Sequence, residues 1–193
     1  NYNPRDVVEN LRRRMAGEEY VPMTPWYRGF VGTIEHSAAD RFRVLGNATQ
    51  LDERTWEITE LPVRVWTSSY KEWLEERVVG SDKTPSTLRE YKEYHTDTTV
   101  HFVVELNSRG EEEIARVGPE AFFKLSTVIS TGNMVLFNPE GKIKKYASPL
   151  EILDDFYFLR LGFYQRRKEH LVDQLKLVYD RLSNQARFVS MII

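Results

Sequence analysis

The stretch that decides the fold is "PLEILDDFYFLRLGFYQRRKEHLVDQLKLVYDRLSNQARFVSMII", Pro149 to Ile193. Past Pro149 it holds no proline and one glycine, Gly162. A heptad frame puts Leu150, Tyr157, Tyr164, Leu171, Val178, Gln185 and Ile192 in one column. The other column holds Asp154, Leu161, Lys168, Leu175, Leu182 and Val189, so only Asp154, Lys168 and Gln185 break the seam. The spacing predicts one helix of ~45 residues, on the order of 65 Å long. The rest of the chain is too small to cover such a helix. It is expected to project, with a seam that needs a partner helix.

Just upstream lies "FNPEGKIKKYASP", Phe137 to Pro149, where Asn138-Pro139-Glu140-Gly141 predicts a tight turn. Strand alternation sends Lys142 and Lys144 to one face and Lys145 to the other, beside Tyr146. Such lysines are either a phosphate grip or a solvated edge that discourages aggregation. With "FKLSTVISTGNMVLF" before it, the region reads as strand, turn, strand, turn, strand.

The earlier chain alternates short strands with short helices. Asn3 caps a helix that opens on Pro4, carries Val7, Val8, Leu11 and Met15 as its stripe, and ends at Gly17. An extended arm with Pro22 and Pro25 follows. "FVGTIE", "RFRVLGNATQL" and "TWEITEL" predict an antiparallel meander. Thr67, Ser68 and Ser69 are candidate caps of a helix running to Gly80. "SDKTPSTLREYKEYHTD" reads as a polar connector. Val100, Phe102, Val104 and Leu106 then give the clearest period of two in the chain, and "SRGEEEIARVG" a helix closed by Gly118-Pro119.

The fold class expected is α+β: antiparallel strands with packed helices, followed by a long projecting helix of coiled-coil type. Its divisions are an N-terminal helix and arm over 1–28, an α+β domain over 29–148, and the helix over 149–193.

The composition excludes more than it selects. An apolar fraction of 41 % and an aromatic fraction of 12 % are those of a folded chain. With 27 basic and 29 acidic side chains the net charge is −2, so only local clusters can argue for nucleic acid. The absence of cysteine removes disulfides, thiol nucleophiles and thiolate metal sites. No apolar run approaches the ~18 residues of a membrane span, so no membrane partner is expected. The chain starts at Asn1 without methionine and stops on apolar "FVSMII", which suggests a piece of a longer polypeptide.

No self-sufficient active site is legible. His36, His95, His101 and His170 lack the spacing of a metal motif. The acidic pairs Asp154-Asp155 and Glu75-Glu76, and the run Glu111 to Glu113, suit solvated or N-terminal helix faces. No phosphate-binding glycine loop or serine nucleophile elbow occurs. Catalytic and metal residues are therefore expected to be none.

The stretches "NYNPRDVVENLRRRMAGEE", "PMTPWYRGFVGTIE", "ITELPVRVWTSSYKEWL", "YHTDTTVHFVV", "NMVLFNPEGKIKKY", "EILDDFYFLRLGFYQRRKEHL" and "LSNQARFV" belong together. In this order they closely resemble eukaryotic DNA topoisomerase II. The resemblance implies the tower that follows the DNA-cleaving winged-helix region, here 29–148, and the first helix leading to the C-terminal dimer gate. It implies a nuclear homodimer that uses ATP and Mg²⁺ to pass one duplex through a transient double-strand break in another. The family's nucleophilic tyrosine follows an arginine, and no Arg-Tyr pair occurs here. The acidic Mg²⁺ motif, the ATPase motifs and the DNA-wedging isoleucine are also absent from this stretch.

The piece itself should then be inert and hold no cofactor. Its partners would be double-stranded DNA and the returning coiled-coil helix of the same chain. On this resemblance Lys142, Lys144, Lys145, Arg28, Arg64 and Lys71 are the expected contacts to the backbone of bent DNA. Arg64 and Lys71 bracket a helix start whose amides could also meet a phosphate. The competing expectation is a structural spacer that makes no direct DNA contact, which the near-neutral charge favours.

Overall fold

The computed structural model describes residues 1–81 and 84–193. In chain order the elements are α1 (Pro4–Ala16), β1 (Thr33–Ala38), β2 (Arg41–Leu45), β3 (Asn47–Gln50) and β4 (Thr55–Glu60). Next come α2 (Thr67–Val79), β5 (Leu88–Glu93), β6 (Phe102–Leu106), α3 (Ser108–Val117) and α4 (Pro119–Phe122). The last are β7 (Ser126–Ser130), β8 (Val135–Phe137), β9 (Ile143–Lys145) and α5 (Pro149–Ile192). This is an α+β fold with antiparallel sheets and a long C-terminal helix. Two compact units divide it, one of Asn1–Asp6 with Met23–Asn133, the other of Val7–Pro22 with Met134–Ile193.

The first unit holds two antiparallel sheets, ordered β1-β2-β7 and β3-β4-β6-β5. The expected single meander is therefore corrected: "RFRVLGNATQL" is two strands, one in each sheet. Gly46 is the switch. Its amide donates to Leu125 O at 2.9 Å, and a Cβ there would fall well inside contact distance of Glu60 O. Only a residue without a side chain lets the backbones approach closely enough for one strand to leave a sheet and enter the next.

The polar connector is corrected too, because it contains β5. Leu88 is buried and Tyr91 half-buried, while Arg89, Glu90, Lys92 and Glu93 face solvent. An edge strand needs few apolar residues, so its sequence looks like a loop. Asp82 and Lys83 of that connector lie outside the described residues.

Beneath the larger sheet the core gathers Ile58, Leu74, Leu88, Phe102, Val104, Leu106, Phe122, Phe123 and Leu125. The period of two in β6 is used in full, with Phe102, Val104 and Leu106 buried and Glu105 turned outward. The single turn α4, unread in the sequence, delivers Phe122 edge-on to Phe123 at 4.9 Å. Tyr70 brings a hydroxyl into this apolar core and donates it to Phe123 O at 2.8 Å, which removes the penalty of burying it. Burial raises the pKa of that phenol far above its usual range. The cap of α2 is Trp66, not Thr67, Ser68 or Ser69, and no side chain bonds the first-turn amides.

In the second unit Asn10 is the anchor of the N-terminal segment. Its amide donates to Val21 O at 3.1 Å and accepts from Val21 N at 2.7 Å. Asp154, expected to break the heptad seam, accepts from the Tyr20 hydroxyl at 2.9 Å. Arg14 Nε stands 2.9 Å from the same oxygen as an ionic contact without hydrogen-bond alignment, and its guanidinium lies 5.0 Å from the Phe158 ring. Burial first, and the bond to Asp154 second, push the Tyr20 phenol up to about 12.

β8 and β9 form their own two-stranded sheet. The expected turn closes it, with Asn138 N donating to Lys142 O at 2.8 Å and Gly141 N to Asn138 O at 2.9 Å. Ser148 Oγ accepts from Glu151 N at 3.3 Å and Pro149 takes the first helical position, so α5 starts where both signals put it. The helix has 44 residues, about 66 Å at 1.5 Å each. Past Tyr157 every side chain except Ser183 is exposed, the seam residues included.

Candidate nucleic-acid interface

The hairpin lysines divide by role. Lys142 and Lys145 are exposed and make no ion pair among the described residues. Lys144 is half-buried, with Nζ 3.0 Å from both Glu151 Oε1 and Asp155 Oδ2 and 4.5 Å from the Tyr146 ring. Those bonds, the Glu151 one foremost, raise its pKa well above that of a free lysine. The Ala147 amide and then Lys144 hold Glu151 below the usual carboxylate range, and Lys144 and then Tyr146 do the same for Asp155. Lys144 therefore fastens the hairpin to the first turns of α5 and presents its neighbours to solvent.

Asp154 and Asp155, read as solvated helix residues, are thus both engaged. Nothing local in the sequence marks Asp155 as the partner of Lys144, 11 residues earlier.

In the first unit, Arg28 stands exposed on a turn closed by Phe30 N to Tyr27 O at 3.2 Å. Arg64 is exposed with φ of 77°, and Lys124 has φ of 52°. Among the described non-glycine residues these two alone have positive φ. Both line a groove of 620 Å³ with Trp66, Tyr70 and Trp73. The groove, which Glu120 also lines, adjoins the start of α2, whose first turn carries no acidic residue to oppose the positive end of the helix dipole. Lys124 was missed in the sequence because nothing local marks a left-handed lysine. Lys71, at the same helix start, is spent on Glu93 at 2.8 Å, and that bond raises its pKa.

Of the six expected contacts, Arg28, Arg64, Lys142 and Lys145 make no ion pair among the described residues, while Lys71 and Lys144 do. No three histidine or carboxylate side chains come together to hold a metal ion among the described residues. What these surfaces can do is attract and seat phosphates, without reading bases.

Residues 1–193 match throughout the DNA gyrase/topoisomerase IV A-subunit family. The chain belongs to that family. As a topoisomerase chain it is similar to DNA topoisomerase 2 of Penicillium chrysogenum, 46 % identical over 193 residues, which are 100 % of this chain and 12 % of that protein. It is similar to DNA topoisomerase 2-alpha of Homo sapiens, 47 % identical over 190 residues, 98 % of this chain and 12 % of that one. A solved structure, the DNA-binding, cleavage and re-ligation domain of Plasmodium falciparum topoisomerase II, superposes with a TM-score of 0.85 at 34 % identity, over 91 % of this chain and 24 % of that chain. The chain thus spans about an eighth of the length of these full-length topoisomerases. The eukaryotic topoisomerase II resemblance carried by "ITELPVRVW" and "YHTDTTVHFVV" holds along its whole length.

Proposed function

We propose that this chain is the tower of a DNA topoisomerase II and supports bent double-stranded DNA through backbone contacts, while α5 leads toward the dimer gate. The parent enzyme is then a nuclear homodimer, dependent on ATP and Mg²⁺, that passes one duplex through a transient double-strand break in another. Its nucleophile, metal and ATP sites belong to other parts of the polypeptide, so the piece alone is inactive. A returning helix of the same chain covers the seam of α5.

The observation that carries the DNA reading is the pair Lys142 and Lys145, without carboxylate partners among the described residues, on a hairpin held in place by Lys144. Arg28 and Arg64 extend the same chemistry to the first unit. Each phosphate contact releases counterions, so neutralising one lowers the slope of log K against log salt by about 0.9. In the intact enzyme K142Q/K145Q should lower that slope by about 1.8, measured by fluorescence anisotropy on duplex DNA. An unchanged slope sinks the grip. The spacer reading has its own support, since Lys144 and Lys71 are neutralised internally and the net charge is −2. It is favoured if the four-residue variant R28Q/R64Q/K142Q/K145Q also leaves the slope untouched.

A further inference from the structure

The first unit also has a cleft of 570 Å³ between the last turn of α2 and the length of α3. Arg77, Thr87, Arg109, Glu112, Glu113 and Arg116 line it. Its floor is built rigidly. Thr87, only 1 % exposed, donates its amide to Arg77 O at 3.0 Å and accepts from Asn107 N at 3.2 Å. Gly110 packs so closely that a Cβ there would collide with Thr87 O. Against this floor the Thr87 hydroxyl is buried and has no hydrogen-bond partner among the described residues.

Arg77 is held in the same state. Its guanidinium lies 5.5 Å from the Trp73 ring and 5.7 Å from the Phe122 ring, and its side chain is 15 % exposed. Among the described residues one long contact, 3.4 Å to Glu113 Oε1, is its ion pair, and its Nε is buried without a partner. Arg109 and Arg116 stand exposed on the α3 face of the cleft and make no ion pair among the described residues, Glu112 included. The lining carries three guanidiniums, Arg77, Arg109 and Arg116, against two carboxylates, Glu112 and Glu113. The cleft offers an unpartnered hydroxyl, an unpartnered buried N–H and two unpaired guanidiniums, against carboxylates engaged weakly or not at all. Buried donors are costly to leave unmade, and an acceptor-rich anion satisfies several at once.

We propose that this cleft is an oxyanion site that takes a phosphoryl group, either free phosphate or one carried on a phosphorylated side chain. Thr87 and Arg77 bind its inner oxygens, and Arg109 and Arg116 close over the outer ones. Guanidinium forks suit phosphate because two N–H donors meet two oxygens. The site is separate from the cations proposed to touch DNA and does not rest on that reading.

The test titrates the chain with inorganic phosphate at constant ionic strength, followed by calorimetry and ³¹P NMR. Saturable binding at one site is expected. R109Q/R116Q, both exposed positions, should weaken it by about tenfold or more with an unchanged circular dichroism spectrum. T87V should weaken it while T87S preserves it, a contrast that general destabilisation would not produce. A phosphoserine peptide that displaces phosphate at lower concentration identifies a modified protein as the source, and one that does not leaves free phosphate; either supports the site. Absence of saturation overturns the proposal, as does equal affinity in R109Q/R116Q. Displacement of phosphate by duplex DNA, with the same variants weakening duplex binding, also overturns it by making the cleft part of a nucleic-acid surface.

Discussion

β6 and α5 carry equally clear apolar patterns and meet opposite fates. In β6, Phe102 and Val104 are 0 % exposed and Leu106 is 1 % exposed. In α5, Leu175 is 67 % exposed, Leu182 53 % and Val189 51 %. A period of two on a strand closes within the first unit, because β4 and β5 flank it and Leu74, Phe122, Phe123 and Leu125 share its core. A heptad seam on a helix longer than its surroundings finds no cover among the described residues. The same kind of sequence signal thus reports the core in one place and the need for another surface in the other.

The largest expected effect tests the closed half of that comparison. Phe102→Ala empties a site ringed by Tyr70, Tyr91 and His95 at 5.7, 6.4 and 5.3 Å between ring centroids. A buried phenylalanine lost to alanine costs about 3–5 kcal/mol, so urea unfolding of the chain should shift by that amount. A loss below about 1 kcal/mol would mean that β6 is not the centre of the core.

Next comes the sheet switch between β2 and β3. Gly46→Ala puts a methyl group against the Glu60 carbonyl and close to Leu125 and Pro62. Backbone must move, and overpacking of this kind costs about 1–3 kcal/mol. Amide exchange should accelerate in both β2 and β3, since one residue joins two sheets. If only one sheet responds, the junction is softer than its geometry indicates.

These two sites mark the limit of what the sequence discloses. The alternation of β6, the capped start of α5 and the Asn138–Gly141 turn are local signals and were legible. Which sheet a strand joins is not local, so the break at Gly46 passed as one strand. β5 passed as a connector because an edge strand can be polar. At the candidate interface the basic residues were visible, but not which of them stay free. Lys144 is taken by Asp155, 11 residues away, and Lys71 by Glu93, 22 residues away. Asp154 looked like a flaw in the seam, yet it receives Tyr20 from 134 residues earlier. Partners at such distances follow from tertiary packing, and no spacing rule announces them.

A smaller effect concerns the clasp at the foot of α5, where the exposed helix begins. Glu151 and Asp155 are held below the usual carboxylate range, so they release protons more readily folded than unfolded. Their stabilisation is present above the ordinary carboxylate pKa values near ~4 and is lost as pH falls through the lower folded values. Lys144 is held above its usual range, so its share is present below about 10.4 and fades as pH rises through the raised value. The groups are solvent-screened, so exchange protection of the β8 and β9 amides should drop only a few-fold from pH ~6 to ~3. Lys144→Met should flatten that dependence, and an unchanged profile would show that the clasp does not restrain the hairpin.

The smallest effect probes the open half. L175A/L182A removes two seam leucines that touch little in the chain, so urea unfolding of a dilute sample should change by less than about 0.5 kcal/mol per site. Alanine also raises helix propensity slightly, which offsets part of any loss. A cost approaching that of Phe102→Ala would mean that the seam is already covered in solution. Sedimentation over a range of concentrations then decides how, because a seam shared between copies loses its cost on dilution and one covered within a single copy does not. Only the uncovered result keeps β6 and α5 as opposites.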